Sequence, residues 1–219
     1  MAGGTLVRKI LNMTLEESVL GVVEFSDTLC VSDPGYGIGT WSGEFDLGIK
    51  PGQYKATTLH GEYRDWGERN WRIMAVKEDE IITEWEFVKE LGVDSASMSI
   101  ICRTKYEEEH NNMISLRMNS ASGFKEGVGF VCDSGCGDGG YGLYQGRNMA
   151  NEVCAVSVSF LFPEDKFTEE ERESGVRYDD QRLIGYAAGT EWWKTEHETG
   201  RSVGYDVANG NTHVDASYG

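Results

Sequence analysis

The run VCAVSVSFLF sets bulky Val156, Val158 and Phe160 against small Ala155, Ser157 and Ser159. Side chains that alternate with a period of two lie on opposite faces of a strand, so Glu152 to Phe162 reads as a strand. The same pattern marks Val22 to Phe25, Leu29 to Val31, Tyr54 to Thr58, Trp71 to Val76, Ile81 to Trp85, Ser97 to Arg103, Met113 to Met118 and Gly127 to Cys132. Pro51-Gly52 suits the centre of a type II turn, and 28 glycines against 3 prolines supply many tight turns. Short strands with Gly-containing turns predict a mainly β protein. The expected form is an antiparallel sandwich or partly closed barrel with one to three short helices, rather than a parallel α/β sheet.

Three stretches carry helix signals. In TLEES, Thr14 caps and Glu17 follows three residues later as a capping box. EFVKELGV ends on Gly92, and TEEER at 168–172 has the shape of a solvent-facing turn of helix. The chain therefore divides into an N-terminal segment 1–19 with a short helix, a β-rich core 20–162, and an acidic segment with an aromatic-containing tail, 163–219. Between Glu164 and Asp180 eight acids face three bases, yet the tail keeps Trp192, Trp193, Tyr205 and Tyr218. Those aromatics suit an arm that docks on the domain or on a second subunit, which would make the protein a homo-oligomer.

A net charge of −17 repels phosphate backbones and anionic lipid, so direct nucleic-acid binding and a membrane partner are not expected. Glu16, Glu17 and Ser18 interrupt the apolar N-terminal stretch, which excludes it as a signal or span. The odd, unpatterned set Cys30, Cys102, Cys132, Cys136 and Cys154 fits free thiols in a reducing cytoplasm.

The pentapeptide DPGYG at 33–37 returns as DGGYG at 138–142, which raises an internal pseudo-repeat. Each is a good turn: Pro34 and Gly35 in the first, the Asp138-Gly139 start in the second. With their neighbours they supply Ser32, Asp33, Tyr36 and Trp41 from one loop, and Asp133, Asp138, Tyr141, Tyr144 and Arg147 from the other. If the loops converge, acidic acceptors, backbone N–H groups and aromatic faces would suit a small polar ligand. Arg64, Arg69 and Arg147 are the cations that could add charge for a phosphate. Glycines at 135 and 137 occupy ligand positions of a calcium loop, and Cys132 and Cys136 lack a partner pair for zinc. No cofactor is expected, and a divalent metal held through Asp33 and carbonyl groups is the alternative. His110 and His197 read as exposed. There is no GxSxG elbow, Walker loop or dinucleotide fingerprint.

The run VSDPGYGIGTWSGEFDLGIKPGQYKA with the following DWGERNWRI resembles uncharacterised proteins of bacteria and their phages. Those carry an SDPxY loop, a nearby Trp, a PGxY/W strand and a WGxR stretch. DSGCGDGGYGLY followed by EVCAVSVSFLF is similar to their SGxGDGxY segment and next strand. The resemblance spans residues 20–162 in patches. Where relatives have Cys, this chain has Gly35 and Ser42, so a thiol or metal role there does not transfer. It implies a bacterial or phage setting and no particular chemistry. The expected function is a non-catalytic cytoplasmic binding protein, a phage accessory or counter-defence factor that takes a small signalling nucleotide or a basic host protein. One alternative is a hydrolase built on Asp33, Asp133 and Asp138; another is an assembly protein that uses its C-terminal arm.

Overall fold

A computed structural model describes residues 6–10, 13–40, 45–63, 66–118 and 120–161, and three short strands beyond them. Twelve strands in the first unit form two antiparallel sheets packed as a sandwich. They are β1 (Leu6–Ile10), β2 (Met13–Phe25), β3 (Thr28–Ser32), β4 (Phe45–Gly48), β5 (Gly52–Glu62), β6 (Glu68–Lys77), β7 (Glu84–Val93), β8 (Ser97–Cys102), β9 (Ser122–Lys125), β10 (Gly129–Asp133), β11 (Gly139–Arg147) and β12 (Val153–Ser159). The larger sheet runs β1-β2-β5-β6-β12-β11-β7 and the smaller β4-β3-β8-β10-β9. Neither closes into a barrel. Contacts divide the chain between Leu161 and Phe162. In the second unit β13 (Lys194–Glu196), β14 (Arg201–Asp206) and β15 (Asn211–Val214) form an antiparallel ladder.

The register explains the core. Leu29, Val31, Ile100 and Phe130 share the face of the smaller sheet that meets the larger one, and all are fully buried. Cys30, Ile101 and Val131 share the opposite face, where they cluster with Tyr106 and Met113 of helix α1 (Tyr106–Arg117). That helix contributes Tyr106, His110 and Met113, the i, i+4, i+7 positions of one helical stripe. Glu107, Glu108 and Glu109 in its first turn and Arg117 in its last complement the helix dipole.

Four local readings change. Met113 to Arg117 belongs to α1 and Met118 is its C-cap, because the stripe that begins at Tyr106 outweighs the short alternation of MISLRM. EFVKELGV lies in β7, paired along its length with β11, with Trp85, Leu91 and Val93 buried. TLEES lies in β2: a thirteen-residue strand paired with β5 satisfies its backbone more fully than one capped turn would. Of Ile81 to Trp85 only Glu84 and Trp85 are in a strand, and Ile81 is exposed. TEEER lies outside the described residues. The two pentapeptides are not equivalent: DPGYG is a loop after β3, whereas the GGYG of the second opens β11. Among the described residues no helix is long and apolar enough to cross a membrane.

The closest approach in the smaller sheet is at Gly129, whose φ of 153° places it where a Cβ would sit 2.2 Å from the Ile100 carbonyl oxygen. A Cβ on Gly92 would meet open space. Gly129→Ala should therefore lower unfolding free energy by about 3 kcal/mol, while Gly92→Ala stays within about 0.5 kcal/mol. Urea unfolding of both variants measures the difference.

Candidate functional site

The two loops do meet, through a third. Asp33 is fully buried, and its carboxylate takes bonds from four donors. Gly35 N–H donates to Oδ1 at 2.8 Å, Asp94 and Ser95 N–H donate to Oδ2 at 2.8 and 2.7 Å, and the Ser95 hydroxyl also reaches Oδ1. Asp138 accepts from Ala96 N–H at 3.1 Å, so Asp94, Ser95 and Ala96, which link β7 to β8, join DPGYG to the second loop.

Each loop has its own brace. Ser32 Oγ donates to Tyr106 Oη at 2.7 Å, and Tyr106 Oη lies 3.3 and 3.1 Å from the carbonyls of Asp33 and Tyr36. His110, expected to be exposed, is buried: it stacks on Tyr106 and its Nδ1 lies 3.1 Å from the Pro34 carbonyl. Tyr141 Oη sits 2.8 and 2.7 Å from the Ser134 and Gly137 carbonyls. Tyr36 donates to Asp94, and that bond, reinforced by desolvation, raises the phenol above its ordinary value.

Ser32, Asp33, Tyr36, Asp138 and Tyr141 are thus brought to one end of the sandwich, where Asp33, Asp138 and Tyr141 hold loop backbone directly, Ser32 bonds the Tyr106 hydroxyl and Tyr36 the Asp94 carboxylate. Tyr144 is elsewhere, buried with its ring 5.4 Å from that of Phe87. Arg147 lies six residues along β11 from Tyr141, about 20 Å at strand rise, and pairs with Glu86 at 3.1 Å. Trp41, Arg64 and His197 fall outside the described residues. The three aspartates do not form one carboxylate centre: Asp33 is saturated by local donors, Asp138 is held by Ala96, and Asp133 faces Arg117. Among the described residues no group of three His, Cys, Asp or Glu side chains converges for a metal.

What this end of the molecule does contain is a cleft of about 540 Å³. Ser18, Thr58, His60, Glu68, Arg69 and Asn70 line it from the larger sheet. The opposite wall is Arg117, Asp133 and the Ser134–Gly137 loop, with the one exposed thiol among the described cysteines, Cys136. Arg117 is held in place: Nε donates to Ser97 Oγ at 2.8 Å, Nη2 to the Ser95 carbonyl at 2.9 Å, and Nη1 lies 3.2 Å from Asp133 Oδ1. Burial pushes the Asp133 carboxyl up, opposed by Arg117 and Arg69. Arg69 spends one N–H on the Glu68 carbonyl at 2.7 Å.

The wall at β2, β5 and β6 carries a continuous polar row. Ser18 Oγ is 2.9 Å from His60 Nε2, and His60 Nδ1 is 2.7 Å from Glu68 Oε1. These residues stand 42 and 8 apart in sequence, so only the β2–β5–β6 pairing brings them together. The signal available beforehand was the hairpin implied by GEYRDWGER, which sets His60 close to Glu68; Ser18 had none, because β2 reads as a helix start. No protein-family profile, curated protein or solved structure matches the chain.

At the other end of the sandwich Lys50 joins Glu80 at 2.5 Å and Glu152 at 2.7 Å, with Asn148 donating to both carboxylates. Lys50 first, then Asn148, holds Glu80 below its ordinary 4.5; Asn148 first, then Lys50, does the same for Glu152.

Two outcomes follow. Asp33→Ala leaves three backbone amides without their acceptor and should cost about 3 kcal/mol in urea unfolding, with faster amide exchange at Asp94 and Ser95. Glutamates with lowered folded values contribute stability above 4.5 that is lost as pH falls through those values. Lys50→Met should flatten that acid-side loss in urea midpoints measured at successive pH values.

Proposed function

We propose that the protein binds a small, polar, anionic molecule in the inter-sheet cleft. The observation that carries this reading is the pair Arg69 and Arg117 turned into one concave site on a chain with 37 acids and 20 bases. A guanidinium offers five donors and only part of each set is spent, so an oxyanion entering the cleft finds both charge and N–H groups. The volume lies within the range of small-molecule sites. Among the described lining residues there is no Phe, Tyr or Trp, the ring of His60 is engaged with Ser18 and Glu68, and Tyr36 and Tyr141 are occupied with Asp94 and loop carbonyls. A compact phosphate or carboxylate therefore fits the wall better than a ligand held by base stacking. The motif resemblance supports a bacterial or phage-infected cytoplasm as the setting, where sequestering such a molecule would serve an accessory or counter-defence role.

Calorimetric titration with sugar phosphates, dicarboxylates and nucleoside monophosphates tests the reading. Binding should weaken at least about tenfold in Arg69→Gln, the loss of one charge-assisted contact, and remain unchanged in Arg147→Gln at the far end of β11. No heat with any of the three classes, or equal binding by Arg69→Gln, would overturn it.

A further inference from the structure

The polar row on the cleft wall supports more than binding. Ser18 lies opposite Thr58, two residues before His60, and His60 lies opposite Asn70, two residues after Glu68, so strand register holds all three on one face. A carboxylate only accepts hydrogen bonds. Glu68 therefore fixes the His60 proton on Nδ1, which leaves the Nε2 lone pair directed at the Ser18 hydroxyl 2.9 Å away. A hydroxyl, a base within reach of its proton and a third group orienting that base are the geometric requirements of an activated nucleophile. All three residues open on the same cleft as Arg69 and Arg117.

We infer that Ser18 is a nucleophile and that the protein hydrolyses small carboxylic esters bearing an anionic group. Ser18 Oγ bonds to the ester carbonyl carbon as its proton passes to His60 Nε2. The tetrahedral adduct collapses, the carbon–oxygen bond to the alcohol breaks, and Nε2 returns the proton to the departing oxygen. Water then adds to the acyl carbon as its proton passes to Nε2, the bond from that carbon to Ser18 Oγ breaks to release the acid, and Nε2 returns the proton to Oγ. Arg69 and Arg117 supply positive charge to the cleft in which the oxyanion develops. Glu68 touches no substrate and is a positioning residue. The anionic character of the substrate rests on the binding reading above, whereas the nucleophile rests on the Ser18–His60–Glu68 geometry.

The test uses the full chain and a fluorophosphonate probe: Ser18 Oγ bonds to phosphorus, fluoride leaves, and the hydroxyl proton goes to His60. Peptide mass spectrometry should find the adduct on Ser18, absent in Ser18→Ala. Labelling should slow at least about 100-fold in His60→Gln and by a smaller factor in Glu68→Gln, with a displaced pH profile. Circular dichroism checks that the variants fold. Should His60→Gln unfold, the wild-type rate decides, since it must rise with the loss of a single proton. A folded wild type with no adduct on Ser18, or a labelling rate indifferent to His60 and to pH, overturns the nucleophile. If wild type and Ser18→Ala both bind the anion panel while wild type does not label, the binding reading stands and this one falls. If Ser18 labels and no anion binds, the nucleophile stands and the assigned substrate class falls.

Discussion

Four donors converge on the buried carboxylate of Asp33, and the end of the sandwich that holds the cleft is arranged around that convergence. A buried charge is tolerable only when its lone pairs are filled. Here the Asp94-Ser95 peptide must turn its amides inward to fill them. That turn presents the Ser95 carbonyl to Arg117 and the Ala96 amide to Asp138. One carboxylate thus sets the β7–β8 link, and the link in turn sets both a cleft cation and the loop that borders it.

Division of labour follows from this. Asp33, Asp138 and Tyr141 of the two glycine-rich loops are spent on backbone and Tyr36 on the Asp94 carboxylate, which leaves them little freedom for a ligand but fixes the rim. Apart from Arg117 at the end of α1, the cleft residues with unspent donors and lone pairs stand one layer away, on the larger sheet, where strand pairing rather than loop conformation holds them. A site on paired strands is the more rigid arrangement, since each side chain inherits the register of its ladder. The row Ser18–His60–Glu68 is positioned in this way, crossing three strands at consecutive diagonal steps.

Much of the sandwich was legible because its strands are runs of strand-forming residues: Trp71 to Val76 lies in β6 and Val153 to Ser159 is β12, and both are buried along nearly their whole length. Where the pattern misled, a non-local partner decided. EFVKELGV has helix-forming residues, yet pairing with β11 makes it an edge strand of the larger sheet. The loop residues Asp33 and Asp138 were visible as a recurrence, and their juxtaposition is real, but their use is structural. Ser18, His60 and Glu68 were silent in one dimension. Each is an ordinary polar residue, and its meaning depends on which strand lies next to which, a property of topology that spacing does not encode.

The charge of the chain bears on how such a cleft could work. At about 20 Å in water each of 17 excess negative charges repels an approaching anion by about 0.2 kcal/mol, some 3 to 4 kcal/mol together before screening. One guanidinium at about 4 Å, in the effective dielectric of a protein surface, attracts by about 4 kcal/mol. The two are comparable only in the absence of salt. With a screening length of about 8 Å at physiological ionic strength the distant field fades, while contact inside a partly closed cleft persists. The acidic surface therefore does not contradict an anion site; it confines attraction to the few ångströms around Arg69 and Arg117. On the proposed reading a small anion would enter there, whereas a polyanion such as nucleic acid would still meet the surrounding carboxylates along its length.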